Sequence, residues 1–406
     1  MARPPARVFV RTGMLVVLGL GLLAGGPAVR AQIAELPRPD SLGLASFGVS
    51  VALGDSLAVV GASGAATCGP NAGAVFVYER VPGPTFDDWR RAARLTPCRC
   101  RPHTFFGETV ALSGSRLLVS ASSGPTAADA GPNAAYVFER SEAGTWRQTA
   151  RFVPPPEAAD GAFAADVDLD GDRAVVTAPG DGDAGLAGAV YVYTHTPATG
   201  RWARTAQLTP ARAATGHVLG RSVALSGDVI AVSTTSGTAA PGGVAIFEAR
   251  PAAPAWTETA FFSDVASSFI ELDLDESVLL VGEDKAGPQA SGRARLFART
   301  RDGRWTERTT LRPTHPYASG AFGTSVALDG PWALVTGYGE QLGKDFNIDR
   351  VVYPFRRRGG PSWTERPLLD IGQVDFGAAL ALHGAQALVS SVPDDAPGQV
   401  YWVMLR

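Results

Sequence analysis

The feature that most constrains the fold is an ungapped stretch of fourteen residues that recurs seven times along the 406-residue chain. We number its first residue as position 0. The copies start at Phe47, Phe106, Phe163, Leu219, Ser268, Phe322 and Phe376. Position 6 is leucine and position 13 is valine in every copy. Internal repeats with spacings of 49 to 59 residues indicate stacked supersecondary units rather than independent domains.

Each repeat contains signals for four strands. Positions 7 and 8 hold turn-forming pairs such as Asp170-Gly171 and His383-Gly384, which tolerate the positive φ of a two-residue hairpin between strands 1 and 2. An aromatic and β-branched segment follows and predicts strand 3. In six copies a tryptophan then begins a predicted strand 4, with an apolar residue six positions later on the same face. The tryptophans are Trp89, Trp146, Trp202, Trp256, Trp305 and Trp363.

The N-terminal segment supplies the fourth strand that the seventh copy lacks. Residues 34–37 resemble residues 206–210, and Leu36 precedes Phe47 by eleven residues, as Leu95 precedes Phe106. We therefore expect the first mature strand to complete the last blade, which closes a ring and removes two exposed sheet edges. The predicted fold is all-β: one seven-bladed β-propeller of four-stranded antiparallel blades over residues 32–406.

The Phe-Gly pair at positions 0 and 1, with small residues after strand 2, resembles the FG-GAP repeat. Four copies carry the complete Phe-Gly pair, with Gly48, Gly107, Gly323 and Gly377, and the resemblance covers essentially residues 32–406. FG-GAP repeats build the N-terminal propeller of integrin α chains and occur in many bacterial secreted proteins. The resemblance implies a seven-bladed propeller with a binding or scaffolding role, often in adhesion.

Family members often bind Ca²⁺ in an Asp-rich loop between strands 1 and 2. The run Asp166, Asp168, Asp170 and Asp172 resembles the beginning of that motif, but its later acidic position is Ala174 and this copy has no insertion. Ca²⁺ takes about six to eight oxygen ligands from a loop that wraps around it, and a two-residue hairpin does not wrap. We therefore favour no metal and no cofactor, with calcium at these four aspartates as the alternative.

A candidate ligand site lies on strand 1, which is expected to be the innermost strand of each blade. Positions 3 and 5 mostly hold small residues, but one copy has Asp166 and Asp168 there and another has Glu271 and Asp273. The copy between them carries Arg221 at position 2. Carboxylates confined together need partners or shifted pKa values. The pattern predicts either a cation or polar-ligand site near the central channel or an internal salt-bridge network through Arg221.

The loops between strands 2 and 3 vary most and should gather at one face, where variable loops on a rigid scaffold commonly bind ligands. Their charged residues include Asp181, Asp183, Glu283, Asp284, Lys285, Glu340, Lys344, Asp345, Asp394 and Asp395. The favoured function is a non-catalytic binding, adhesion or scaffolding module for a protein or glycan. One alternative is a glycan hydrolase or lyase that uses the carboxylates of positions 3 and 5 as acid and base. Another is a structural module of an envelope assembly.

Charge and the N-terminus limit the partners and the location. The chain has 36 Lys+Arg and 39 Asp+Glu, so no nucleic-acid or anionic membrane partner is expected. Residues 1–31 carry a basic start, an apolar run of about ten residues and small residues before Ala31, as a signal peptide does. Cleavage after Ala31 predicts a secreted, periplasmic or cell-surface protein without a membrane span. A retained membrane anchor is the alternative.

The three cysteines fit an oxidising compartment. Cys98 and Cys100 are too close in sequence to pair easily, so we expect one disulfide between Cys68 and one of these two. None of the five histidines lies in a recognised catalytic motif.

Overall fold

The computed structural model describes residues 32–39, 46–83, 88–122, 133–156, 162–179, 188–211, 217–236, 242–250, 253–265, 270–317, 319–340, 348–360, 362–369, 371, 373–393 and 396–405. These described residues form 28 strands in seven four-stranded antiparallel sheets. The predicted signal peptide (residues 1–31) and the fifth repeat start, Ser268, lie outside them.

Each sheet is one blade. Blades 1 to 3 are β2 (Phe47–Leu53), β3 (Leu57–Ala62), β4 (Ala74–Val81) and β5 (Asp88–Leu95); β6 (Val110–Ser113), β7 (Arg116–Ala121), β8 (Ala134–Arg140) and β9 (Trp146–Phe152); β10 (Val167–Asp170), β11 (Arg173–Ala178), β12 (Ala189–Thr196) and β13 (Arg201–Leu208). Blades 4 and 5 are β14 (His217–Ser226), β15 (Val229–Ser236), β16 (Gly242–Arg250) and β17 (Ala253–Val265); β18 (Ile270–Asp275), β19 (Val278–Glu283), β20 (Arg293–Arg299) and β21 (Trp305–Leu311). Blades 6 and 7 are β22 (Val326–Asp329), β23 (Trp332–Glu340), β24 (Ile348–Arg357) and β25 (Trp363–Glu365); β26 (Phe376–His383), β27 (Gln386–Ser391), β28 (Gln399–Met404) and β1 (Gln32–Glu35).

The N-terminal strand closes the ring, as the sequence predicts. β1 pairs antiparallel with β28, and the Leu36 amide donates a hydrogen bond of 2.9 Å to the Val400 carbonyl. The Leu36 side chain is 1% exposed and packs against Trp402 and other residues of blades 1 and 7. The first strands of successive blades contact one another in order, and β26 contacts β2. The fold is therefore an all-β, seven-bladed propeller with strand 1 innermost.

The hydrophobic core is divided among the junctions between blades. Seven apolar clusters occur among the described residues, and each joins the facing sides of two neighbouring blades. The valine of position 13 is 0% exposed in all seven copies. Because each sheet is covered on both faces by its neighbours, stability comes from contacts between blades as much as from contacts within them.

The glycine of the Phe-Gly pair allows close approach between blades. Position 1 has a positive φ in every described copy: Gly48 (89°), Gly107 (93°), Ala164 (63°), Gly220 (83°), Gly323 (102°) and Gly377 (91°). A Cβ atom on Gly323 would lie 2.6 Å from the Glu283 nitrogen and 2.7 Å from the Arg293 oxygen of the preceding blade. Glycine is therefore favoured both by backbone conformation and by the neighbouring backbone.

The hairpin between strands 1 and 2 lies one residue later than the sequence predicts. Position 7 still pairs in the ladder, as Asp170 opposite Arg173 shows, and positions 8 and 9 form the connection. Blade 1 differs, since three residues separate β2 from β3. The shift arises because the positive φ falls on position 8, at Gly171 for example, and not on position 7.

The disulfide joins Cys68 to Cys100, with 6.1 Å between their Cα atoms, and Cys98 is left free and exposed. It ties the loop between β3 and β4 to the connection between blades 1 and 2. In the part of the chain that the structure describes, no helix has the length and apolar character needed to cross a membrane.

We predict that Gly323→Ala destabilises the protein strongly, by more than about 3 kcal/mol, since the added methyl group must displace backbone of blade 5. Gly330→Ala is the matched control, because Gly330 also has a positive φ (53°) but a Cβ there would meet nothing within 4 Å. The control should lose only about 1 kcal/mol from the left-handed backbone. Urea unfolding of both variants tests this, and equal losses would contradict the close-approach argument.

Candidate functional site at the inner strands

The backbone of the inner strands leaves alternate N–H groups facing the centre of the ring. In blade 3, the Thr177 amide donates to the Asp166 carbonyl (3.0 Å) and the Asp166 amide donates to the Thr177 hydroxyl (2.9 Å). The backbone groups of position 3 therefore point towards strand 2. By the alternation of a β-strand, the N–H groups of positions 4, 6 and 8 point away from the sheet and need other acceptors.

Asp166 and Asp168 supply acceptors for such groups on two blades. Asp168 Oδ1 accepts from the amide of Leu169 (2.7 Å), and its Oδ2 accepts from the amide of Leu225 in blade 4 (2.6 Å). Two residues earlier on the strand, Asp166 makes the same pair of contacts. Its Oδ1 accepts from the amide of Val167, and its Oδ2 accepts from the amide of Val223 in blade 4, each at 2.9 Å. Each carboxylate therefore connects the inner strand of blade 3 to that of blade 4.

Blade 5 repeats part of this arrangement. Asp273 Oδ1 accepts from its neighbour's amide (2.8 Å), and Oδ2 accepts from the Leu328 amide in blade 6 (2.6 Å). Between the two carboxylate-bearing blades, the Ser222 hydroxyl accepts from the Leu272 amide (3.2 Å). Glu271 is an exposed residue of the same strand, at position 3.

Position 7 forms a third row of these contacts, which sequence reasoning missed. Its side chains accept the N–H of position 8 in the next blade: Ser113 from Gly171 (2.9 Å), Asp170 from Gly227 (2.7 Å), Ser226 from Glu276 (3.0 Å), Asp275 from Gly330 (2.7 Å) and Asp329 from Gly384 (2.7 Å). At the closing junction, His383 Nε2 lies 2.8 Å from the Asp55 carboxylate. We call these position-7 contacts the rim latch. The signal was present in the sequence as a recurring Asp or Ser, which we interpreted only as a turn residue.

The four carboxylates at positions 3 and 5 have raised pKa values. We call these side chains, Asp166, Asp168, Glu271 and Asp273, the channel carboxylates. Burial raises the pKa of Asp166 well above its usual range, and the negative charge of Glu271 raises it further. Burial raises the pKa of Asp168 to about 6 and that of Asp273 to about 7, against the opposing effect of their backbone hydrogen bonds. Desolvation raises the pKa of Glu271 to about 7. Although the Glu271 side chain meets water, protein surrounds the channel and limits its hydration.

The structure separates the four aspartates of the calcium-like run. Asp166, Asp168 and Asp170 accept backbone amides, whereas Asp172 Oδ1 lies 2.7 Å from Arg116 Nη1 and 2.9 Å from His195 Nδ1. The hydrogen bond from His195, followed by that from Arg116, holds the pKa of Asp172 below its usual range. No group of three or more His, Cys, Asp or Glu residues positioned to hold a metal ion is found in the described ranges.

The remaining predicted site residue, Arg221, lies one residue before Ser222 on β14 and has an exposed side chain. Its salt-bridge network with the carboxylates, and the alternative of a ligand site there, stay predictions. Glu271 and Asp166 lie close enough to influence each other's charge, as do Asp168 and Asp273, so the structure does bring the two carboxylate pairs together.

We predict that the rim latch contributes measurably to stability. Asp170→Ala should cost about 1–2 kcal/mol, because the Gly227 amide loses a charged acceptor. Asp170→Ser should stay within about 0.5 kcal/mol of the natural protein, because Ser113 and Ser226 accept the equivalent amide in their own blades. Chemical unfolding of both variants measures the difference, and an alanine variant as stable as the serine variant would show that the latch contributes nothing.

We predict that Glu271→Gln flattens the pH dependence of stability. The folded-state pKa of Glu271, about 7, lies above the unfolded value of 4.5, so the folded protein holds a proton that the unfolded chain has released between these pH values. The stability from this group is present at low pH and is lost as the pH rises through 7. Glutamine mimics the protonated form, so the variant should gain about 1 kcal/mol at pH 8, a figure reduced for solvent screening, and nothing at pH 4.5.

Urea unfolding between pH 4.5 and 8 measures this effect. Glu142→Gln, at an exposed turn of blade 2, is the control and should leave the pH profile unchanged. Parallel profiles for Glu271→Gln and the natural protein would mean that Glu271 is as well hydrated in the channel as in the unfolded chain.

Comparison with known proteins agrees with this architecture. A model of the FG-GAP repeat family matches residues 31–78 and 146–193. Both matches begin at the outer strand of one blade and continue through strands 1 to 3 of the next, which is the permutation that β1 uses to close the ring. No curated protein sequence matches the chain.

The chain is similar to several solved structures at low sequence identity. They include Saccharomyces cerevisiae Sqt1 (9% identity, 86% of this chain and 82% of that chain, TM-score 0.48) and a protein from Lactobacillus plantarum (16%, 79% and 84%, 0.49). A "putative 6-phosphogluconolactonase" from Bacteroides uniformis has 14% identity over 80% of this chain and 86% of that chain, with a TM-score of 0.51. This last likeness concerns the fold alone. With its two repeat matches and its seven closed blades, the chain is similar to the FG-GAP repeat propellers.

Proposed function

We propose that this FG-GAP repeat propeller is an exported binding module that recognises a protein or a glycan through the face built by its strand 2–3 loops. The fold supports a binding or scaffolding role in general. The proposal adds two specific points to this general role: recognition takes place through one face, and the protein is exported. We call the ends of the blades that carry the strand 2–3 loops the loop face.

The observation that carries this proposal is the unequal length of the connections at the two ends of the blades. Strands 1 and 2 are joined by two or three residues in every blade, whereas strands 2 and 3 are joined by five residues between β15 and β16 and by twelve between β7 and β8. Antiparallel strands alternate direction, so these two sets of connections lie at opposite ends of each blade. Variable loops on a constant scaffold are the usual site of recognition.

The described loops of this face are held in place. The Cys68–Cys100 disulfide crosslinks the first of them, and the His103 amide donates to the Pro70 carbonyl (2.8 Å). In blade 5, the Ser319 amide donates to the Gln289 carbonyl at 2.9 Å. Loops fixed before binding lose less conformational entropy when a ligand docks, which raises affinity.

One predicted loop residue proves to be internal. Glu283 is 0% exposed and accepts hydrogen bonds from Arg293 (2.9 Å) and Arg295 (2.5 Å), so it is a buried ion-pair residue at the end of β19. Its neighbours Asp284 and Lys285 lie in the described part of the loop face. Glu340 is the last residue of β23. The remaining loop candidates, Asp181, Asp183, Lys344, Asp345, Asp394 and Asp395, lie outside the described residues.

The inner-strand carboxylates favour binding over the hydrolase or lyase alternative. Asp166, Asp168 and Asp273 each accept a backbone N–H with both oxygens, which suits a structural role between blades. A general acid or base must instead reach a proton of the substrate. Export is supported by the disulfide, since such bonds persist mainly in oxidising compartments. A mature N-terminus at Gln32, read by mass spectrometry of the exported protein, is the expected result.

The test of recognition measures binding of labelled protein to intact cells of its source. Protease treatment of the cells should abolish binding if the ligand is a protein, and periodate oxidation should abolish it if the ligand is a glycan. The loop-face variant Asp284→Ala/Lys285→Ala should bind about tenfold more weakly. The control Asp302→Ala/Arg304→Ala, in the turn at the opposite end of the same blade, should bind normally.

The variant Asp166→Asn/Asp168→Asn tests whether these carboxylates bind the ligand or only connect neighbouring blades. If it folds and binds as the natural protein does, the carboxylates are structural. Absence of cell binding, or an equal loss in the loop-face variant and its control, would contradict recognition through the loop face.

A further inference from the structure

Arginine is concentrated on the outer strands of blades 1 and 2. Residues 88–101 and 140–152 hold eight arginines and only two acidic residues, Asp88 and Glu142. The whole chain, by contrast, has a net charge of −3. The outer strands of blades 4 to 6 instead carry Glu258, Glu307 and Glu365. The positive charge is therefore local to one side of the ring.

Seven of these arginines are exposed. We call six of them, Arg90, Arg91, Arg94, Arg99, Arg101 and Arg147, the arginine face; the seventh, Arg151, lies over the Tyr136 ring. The first three lie on or beside β5, the outer strand of blade 1, and Arg147 lies on β9, the outer strand of blade 2.

Covalent and hydrogen-bonded contacts hold the two halves of this face together. The Cys98 amide donates to Gln148 Oε1 on β9 (3.0 Å), and Cys100 is fixed by its disulfide to Cys68. The segment that carries Arg99 and Arg101 is thereby anchored to blade 2 and to the loop of blade 1. Charged groups that are already positioned lose less freedom on binding than groups on free loops.

A cleft of about 470 Å³ opens at the edge of the arginine face, lined by Arg90, Arg91, Arg140 and Glu79 among others. Glu79 forms an ion pair with Arg140, and its other oxygen lies 3.6 Å from Arg90 Nη2. The lining therefore holds three guanidinium groups and two carboxylates, Glu79 and Glu142, which leaves an excess of one positive charge. Guanidinium groups bind carboxylate and sulfate oxygens through paired N–H donors.

We propose that the arginine face docks a linear anionic polysaccharide that bears carboxylate or sulfate groups. Four of its arginines, Arg90, Arg91, Arg94 and Arg147, lie on outer strands and are separate from the loop face. Arg99 and Arg101 lie in the connection that the Cys68–Cys100 disulfide joins to that face. Its arginines span the junction between two blades, so a chain with repeated negative charges contacts more of them than an isolated anion does.

Shape favours a flexible polymer over other anionic partners. Successive blades turn by one seventh of a circle, so the two outer strands form a convex surface that a flat bilayer touches only along one of them. Duplex DNA is stiff over lengths far greater than this surface and does not follow it. Single-stranded nucleic acid needs aromatic platforms, and the large exposed apolar residues in the described ranges are Val81, Val153 and Val374, none of them aromatic.

The experiment measures binding of the full mature protein to polygalacturonate and to dextran sulfate, with neutral dextran as the blank, at several salt concentrations. The triple variant Arg91→Gln/Arg94→Gln/Arg147→Gln should weaken binding to the charged polymers about tenfold, which corresponds to about 0.5 kcal/mol for each contact. Arg301→Gln/Arg304→Gln/Arg308→Gln is the control, since it removes the same charge from exposed positions of blade 5. Affinity for the polymers should fall steeply as salt rises.

Each outcome decides the proposal, provided that both triple variants melt as the natural protein does. Loss in the arginine-face variant with normal binding by the control and by the loop-face variant Asp284→Ala/Lys285→Ala supports the site. Equal loss in the two triple variants would show a general effect of net charge and overturn it. Tighter binding to phosphatidylglycerol vesicles or duplex DNA than to either polysaccharide would also overturn it, as would the absence of binding to both polymers at low salt.

Discussion

Each blade of the ring begins with an inner strand that has only one hydrogen-bonded neighbour in its own sheet. The N–H groups on its other edge face the centre of the ring and need acceptors other than water. All seven inner strands share this requirement. Side chains of the preceding blade accept hydrogen bonds from these groups. They are the carboxylates at positions 3 and 5 of blade 3, the carboxylate at position 5 of blade 5, and the side chains of the rim latch at position 7. The same contacts fix the angle at which neighbouring blades meet, so they complement the apolar clusters between the blades.

This arrangement explains why acidic residues lie in the centre of a protein with no evident catalytic motif. The backbone amides stabilise the ionised carboxylates, while burial and the proximity of Asp166 to Glu271 oppose ionisation. The second influence is larger, and the pKa values rise. A blade junction built this way has its amides hydrogen-bonded, but its carboxylates are desolvated and repel one another, as the raised pKa of Asp166 shows.

Both proposals assign recognition to the outer surfaces of the ring and not to its centre. The loop face has connections of very different lengths at the blade ends opposite hairpins of two or three residues, and the arginine face concentrates positive charge on two outer strands. The two surfaces differ in chemistry, and the Cys68–Cys100 disulfide joins their neighbouring segments. The two proposals together place two binding surfaces on one scaffold, because the blades provide outer strands as well as loops.

The sequence by itself determined the number of blades, the four strands of each and the closing strand, because position 6, position 13 and the Trp spacing recur in a constant register that only one periodic architecture accommodates. It also identified Asp166, Asp168, Glu271 and Asp273 as exceptional among small residues. The tertiary structure alone decided what these residues do. Hydrogen bonds from the Leu225 amide to Asp168, from the Gly227 amide to Asp170 and from Arg295 to Glu283 join residues that are distant in sequence or lie on different strands. Such contacts depend on the angle between packed sheets, on which residue of a turn takes the positive φ, and on how far water enters the channel, and no local pattern of residues specifies these quantities.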